Sequence, residues 1–89
     1  MYRFRWNDWN VEHLARHAVE TSEAEEVVEG ASAPFPDRHG REKLRVWGKT
    51  AEGRHLQVVF VLDPEGSVFV IHARPLTETE KGRFRRRIR

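Results

Sequence analysis

Short amphipathic segments fill the chain, and their apolar spacing changes from strand-like to helix-like and back. Tyr2, Phe4 and Trp6 alternate with Arg3 and Arg5, which predicts a short strand. Asn7 is placed to cap a helix over residues 8–17, with Val11, Leu14, Ala15 and Ala18 as its apolar stripe. Ser22 and Glu25 have capping-box spacing for a second helix, in which Ala24, Val27 and Val28 face inward and Gly30 supplies the stop. Residues 31–41, with Pro34, Pro36 and Gly40, read as a loop with room for a short extended edge. Alternation then returns in three segments, Lys43–Lys49, Arg54–Leu62 and Ser67–Arg74. They are separated by Thr50-Ala-Glu-Gly53 and by Asp63-Pro-Glu-Gly66, turns too short for a crossover, so the three strands form an antiparallel meander. Thr77 and Glu80 form a capping box for a last helix, with Leu76 at the staple position and only Phe84 and Ile88 apolar beyond Gly82.

The expected fold is therefore α+β, in the order β-α-α-β-β-β-α, with the two N-terminal helices packed on one sheet face. Strict alternation assigns that face Leu56, Val58, Phe60, Phe69 and Ile71. It assigns the other face Val59, Val61, Val68 and Val70 together with Arg45, Lys49, His72 and Arg74. A face half apolar and half cationic should meet the C-terminal helix, a protein partner or nucleic acid.

Composition narrows the function classes. The 89 residues suffice for a single domain, 1–89, with 38% hydrophobic residues and 3 Trp to build a core. With 0 Cys, disulfides and thiolate metal sites are excluded. Neither a membrane helix nor a signal peptide is evident, so a soluble cytoplasmic protein with no membrane contact is expected. The formal charge of +2 conceals a division: residues 81–89 carry 6 positives and no acid, whereas 5 glutamates crowd residues 20–29. Arg outnumbers Lys 13 to 3, which suits bidentate contacts to phosphate.

These features suggest RNA chemistry. Metal-independent RNA cleavage needs a base for the 2′-hydroxyl, cations for the phosphorane and an acid for the leaving oxygen. Arg45 and Arg74 are candidates to hold the phosphate and His72 to move a proton, with Lys49 adding charge and Trp47 stacking a base. Arg83 and Arg86, in the basic tail 83–89, are candidate RNA contacts. The alternative reading of each is an ordinary polar residue on a solvated strand or tail. His13 and His17 stand at i,i+4, a spacing open to a metal, but no third ligand accompanies them and no metal is expected. There is no phosphate-binding loop or dinucleotide fingerprint, and no cofactor is expected.

Several short motifs together carry a family resemblance. They are Phe4-Arg-Trp-Asn-Asp-Trp, Ala15-Arg-His-Ala-Val, Glu23–Val28, Val46-Trp-Gly-Lys-Thr-Ala-Glu-Gly-Arg, Ile71-His-Ala-Arg-Pro-Leu-Thr and Glu80. With them the chain resembles the BrnT family, toxin halves of bacterial type II toxin–antitoxin pairs, from residue 4 to about residue 84. The resemblance implies a RelE-like fold, a metal-independent endoribonuclease and a DNA-binding antitoxin of BrnA type as partner. It matches Arg74 to the family's arginine after the last strand, Glu80 to the acid of the following helix, and His17 to the histidine ending the first helix. Glu80 thereby joins His72 as a candidate proton-transfer group.

The chain departs from the family pattern at Asn7 for Asp, Asn10 near a usual Lys, Ala18 for Gly, Lys43 for Arg, Phe69 for Arg, His72 for Ser and Phe84 for Tyr. The alternative to a nuclease is a non-catalytic protein-interaction or RNA-binding domain of the same fold, which includes a homodimer built on the apolar part of the sheet face.

Overall fold

The computed structural model describes residues 2–87. Strand β1 (Phe4–Arg5) is followed by helices α1 (Asp8–Ala15) and α2 (Thr21–Glu29), strands β2 (Asp37–Arg38), β3 (Leu44–Lys49), β4 (His55–Leu62) and β5 (Val68–Pro75), and helix α3 (Glu78–Arg87). The strands form one mixed sheet in the order β1-β5-β4-β3-β2, with β1 parallel to β5 and every other pair antiparallel. The expected α+β class and β3-β4-β5 meander are present, and β2 is the short edge anticipated within the loop.

One side chain organises the N-terminal corner. Asn7 caps α1 through its side chain, accepting from the Asn10 N–H at 3.1 Å, while Asn10 Oδ1 accepts from the Asn7 N–H at 2.8 Å. Asn10 is wholly buried, and its Nδ2 donates to the carbonyls of Arg5 and Val70 at 3.1 and 3.0 Å. These bonds tie α1 to β1 and to the edge of β5, and every polar atom of the amide that faces the core is matched.

Helix α2 starts at Thr21 and not after Ser22. The physical reason is that Glu25 is drawn away to accept the Trp6 indole N–H at 2.7 Å, whereas Glu23 reaches back to the Glu20 backbone N–H at 3.0 Å. Helix α2 lies close on β3. A Cβ placed on Gly48 would stand 3.0 Å from Val27 Cγ1, so any larger residue would need Val27 to give by a few tenths of an ångström. The α1–α2 connection is pinned by Arg54, which donates to the Ala18 carbonyl at 2.7 Å and pairs with Glu23 at 2.8 Å.

The pairing register corrects the two sheet faces. Val59 lies opposite His72, but Phe60 lies opposite Val70, so Ile71 is an extra residue bulged out of β5. One inserted residue reverses the alternation on its N-terminal side. Val68 and Val70 therefore join Leu56, Val58, Phe60 and Ala73 in the core beneath α1 and α2, all at 1% exposure or less. Phe69 and Ile71, expected there, are only partly buried. The second face carries Asp37, Arg45, Trp47, His55, Gln57, Val59, Val61, Phe69, His72 and Arg74 in register across the strands. Helix α3 covers one end of this face: Phe84 packs on Phe35 and His55, and Arg87 reaches Asp37 at 3.1 Å.

Candidate functional site

The second sheet face brings several of the sequence's candidate residues into two adjacent rows. Arg45, Val59 and His72 form one row across β3, β4 and β5, and Trp47, Gln57 and Arg74 form the next. Two strand spacings put the Cα atoms of Arg45 and His72 about 10 Å apart. His72 and Arg74 are two residues apart and share this face.

Helix α1 supplies a group that spacing along the strands does not reveal. Trp9 and His13 lie four residues apart on α1, and His17 follows four further on, in the turn after the helix. The Trp9 ring stacks on Phe69 at 6.0 Å and lies 4.1 Å from the His13 ring. Arg5 also lies over Phe69, its guanidinium carbon 4.0 Å from the ring centre. The His17 ring meets His72 edge-on, with centroids 5.1 Å apart and planes at 81°. Burial of His72, and then the charges of His17, Arg74, His13 and His39, push its pKa below the ordinary 6.5. The imidazole in β5 is thus kept neutral, while His17 stands beside it on an exposed helix end. The pair was separable in the sequence only through the two residues' independent motifs.

The arginines are more committed than the sequence suggests. Arg45 donates from Nε and Nη2 to Asp37 at 3.1 and 2.8 Å and lies over the Trp47 ring. Arg74 donates from Nη1 and Nη2 to the two oxygens of Glu80, both at 2.8 Å. Each pair uses one edge of the guanidinium, and Arg74 Nη1 also donates to the Pro75 carbonyl at 3.0 Å, so among the described residues Nε of Arg74 and Nη1 of Arg45 are the guanidinium nitrogens left without a partner. The Arg74 hydrogen bonds, with the Thr77 N–H and hydroxyl, hold Glu80 at a pKa of about 2. Glu80 is therefore an ionised clamp and not a proton donor or acceptor near neutral pH, which corrects its expected proton-transfer role.

Trp47 also needs correction as a stacking platform. The residue is 4% exposed, its indole N–H donates to Gln57 at 2.8 Å, and Phe35 and Arg87 pack against it. The covering comes from the residue 31–36 loop and α3, both distant in sequence. Lys49 stays exposed at the end of β3, and Arg83 and Arg86 are exposed on α3. Arg89, the last residue of the basic tail, lies outside the described residues.

Among the described residues no group of three His, Asp or Glu is arranged to hold a metal, and no helix is long and apolar enough to cross a membrane. Compared with known proteins, the chain matches no family model, no curated sequence and no solved structure.

Proposed function

We propose that this chain is a metal-independent endoribonuclease of the BrnT-like toxin kind, working through the paired imidazoles of His17 and His72. The observation that carries this reading is the 5.1 Å ring separation of those histidines beside Arg74. Neutral His72 takes the 2′-hydroxyl proton as the 2′-oxygen attacks phosphorus. His17 gives a proton to the departing 5′-oxygen as the P–O bond breaks, leaving a cyclic 2′,3′-phosphate and a 5′-hydroxyl. The free edges of Arg74 and Arg45 stabilise charge on the phosphorane oxygens. Glu80 orients Arg74, and Lys49, Arg83 and Arg86 hold the strand by its phosphates.

Two features support the family reading beside the chemistry. Ala18 stands where BrnT-like chains commonly have Gly, and its φ of 55° lies in the left-handed region that glycine adopts without strain. His17, the family's helix-ending histidine, is the residue that meets His72. The expected partner is a DNA-binding antitoxin of BrnA type.

Purified protein incubated with RNA in chelator should yield cyclic phosphate ends. His17→Ala and His72→Ala should each lower the rate by on the order of 100-fold. Intact RNA with folded wild-type protein, or full activity in both variants, would reject the mechanism. A second reading is a non-catalytic RNA-binding or protein-interaction domain, favoured by the carboxylates already bound to Arg45 and Arg74. It predicts salt-sensitive RNA retention without cleavage, or capture of a partner with no effect on RNA.

A further inference from the structure

Away from the histidine pair, a cleft of about 390 Å³ opens where the C-terminal end of α2, the adjoining ends of β3 and β4, and α3 come together. Its wall is mostly apolar, with Trp47 and Phe84 contributing rings and Gly30 and Gly48 contributing bare backbone. Its polar lining is Ser32, Lys49, His55 and Arg85, of which Lys49 and Arg85 are cationic. Among the described residues Lys49 and Arg85 have no ion-pair partner, whereas Arg45, Arg54, Arg74 and Arg87 do. His55 sets its ring edge against Phe84, with centroids 6.0 Å apart. Burial, followed by the charges of Lys49, Lys81 and Arg85, lowers its pKa, and Glu78 alone opposes them. Lys49 and Arg85 thus add positive charge without an ion-pair partner to the lining of an apolar slot.

The volume falls within the roughly 300–1,000 Å³ typical of small-ligand pockets. A bare anion would leave the apolar wall unused, and a neutral ring would leave the cations repelling one another. A flat ring carrying a phosphate satisfies both. We propose that this cleft is a nucleoside-phosphate subsite, with the base against Phe84 and the glycine backbones and the phosphate between Lys49 and Arg85. The ligand has two sources, a free mononucleotide or one nucleotide of an RNA strand; only the second rests on the ribonuclease reading above.

The test is an NMR titration of the full chain, following the His55 and Phe84 resonances. The probes are adenosine 5′-monophosphate, adenosine, inorganic phosphate, and a short RNA with methylated 2′-hydroxyls that cannot be cut. Saturable binding of the monophosphate is expected, on the order of tenfold tighter than either half alone, with the His55 pKa rising as the anion binds. Binding should be lost in Lys49→Ala/Arg85→Ala and kept in Arg41→Ala, an exposed arginine outside the cleft lining. It should also be kept in His72→Ala, so that failure of cleavage and failure of this subsite remain distinct. Competition by the RNA assigns the subsite to a strand; its absence assigns it to a free nucleotide. The proposal is overturned by equal affinity for phosphate and monophosphate, by saturable binding that survives the double variant, or by no saturable shift at His55 with any nucleotide probe.

Discussion

Glu80 holds Arg74 through both carboxylate oxygens at 2.8 Å, and its Oε1 also accepts the Thr77 backbone N–H at 2.8 Å. A residue that reads in sequence as a helix cap thus locks the guanidinium at the end of β5 to the first turn of α3. The cost of breaking this link should depend on pH. Its folded-state pKa of about 2 lies below the ordinary 4.5, so the carboxylate contributes stability above 4.5 that is lost as pH falls toward 2. Glu80→Gln should lower the unfolding free energy by about 1–2 kcal/mol near neutral pH, less than the full shift implies because the pair is partly solvated. Urea denaturation across pH checks this: the gap between wild type and variant should close in acid, and a constant gap would argue for lost packing instead.

Ala18 should respond in the opposite direction. Its φ of 55° places a Cβ in the left-handed region just after α1, where the Val19 N–H bonds back to the Leu14 carbonyl at 3.0 Å. Ala18→Gly removes that strain, partly offset by the greater freedom of glycine in the unfolded chain. A net gain of about 0.5–1 kcal/mol is expected, measured as a higher denaturation midpoint. A loss would mean that the backbone here is held at little cost.

The contrast between these two residues indicates which features can be read from sequence. Thr77 and Glu80 are close in the chain, and their capping bonds are local, so the motif alone located the start of α3. The strands β3 and β4 were legible because one apolar face alternates without interruption. The bulge was not, since Val70 and Ile71 are both apolar and either register satisfies the local pattern. Trp47 looked exposed between Arg45 and Lys49, because nothing near it in sequence announces that Phe35 and Arg87 will cover it. The parallel pairing of β1 with β5, and the approach of His17 to His72, likewise depend on how distant segments pack.

The bulge makes neighbouring residues of β5 very unequal. Val70 is fully buried, whereas Phe69 faces Arg5 and Trp9 on the partly solvated side. Val70→Asp would bury an unpaired carboxylate and should leave no folded protein, at a cost above about 3 kcal/mol. Phe69→Thr should keep the fold and lose about 1–2 kcal/mol of aromatic packing. Circular dichroism and thermal melts distinguish the cases. If the two substitutions exchanged severity, the simple alternation would be right and the bulge wrong.

The histidines set a separate pH response. His72 and His55 both have pKa values below the ordinary 6.5, each chiefly through burial and then through neighbouring positive charge. Between each folded-state value and 6.5 the unfolded chain binds more protons than the native one, so stability rises with pH across that window. It is complete above 6.5 and declines as pH falls below it. The carboxylates Asp37 and Asp63 are shifted down from 3.8 and stay ionised through the same range, so their contribution is lost only in stronger acid. Denaturation midpoints measured from about pH 8 to pH 5 should therefore fall before Asp37, Asp63 or Glu80 takes up a proton. His72→Gln should flatten part of this decline, and His72→Gln/His55→Gln more of it. An unchanged slope in the double variant would place the response on other groups and would remove the neutral His72 on which the proposed proton transfer depends.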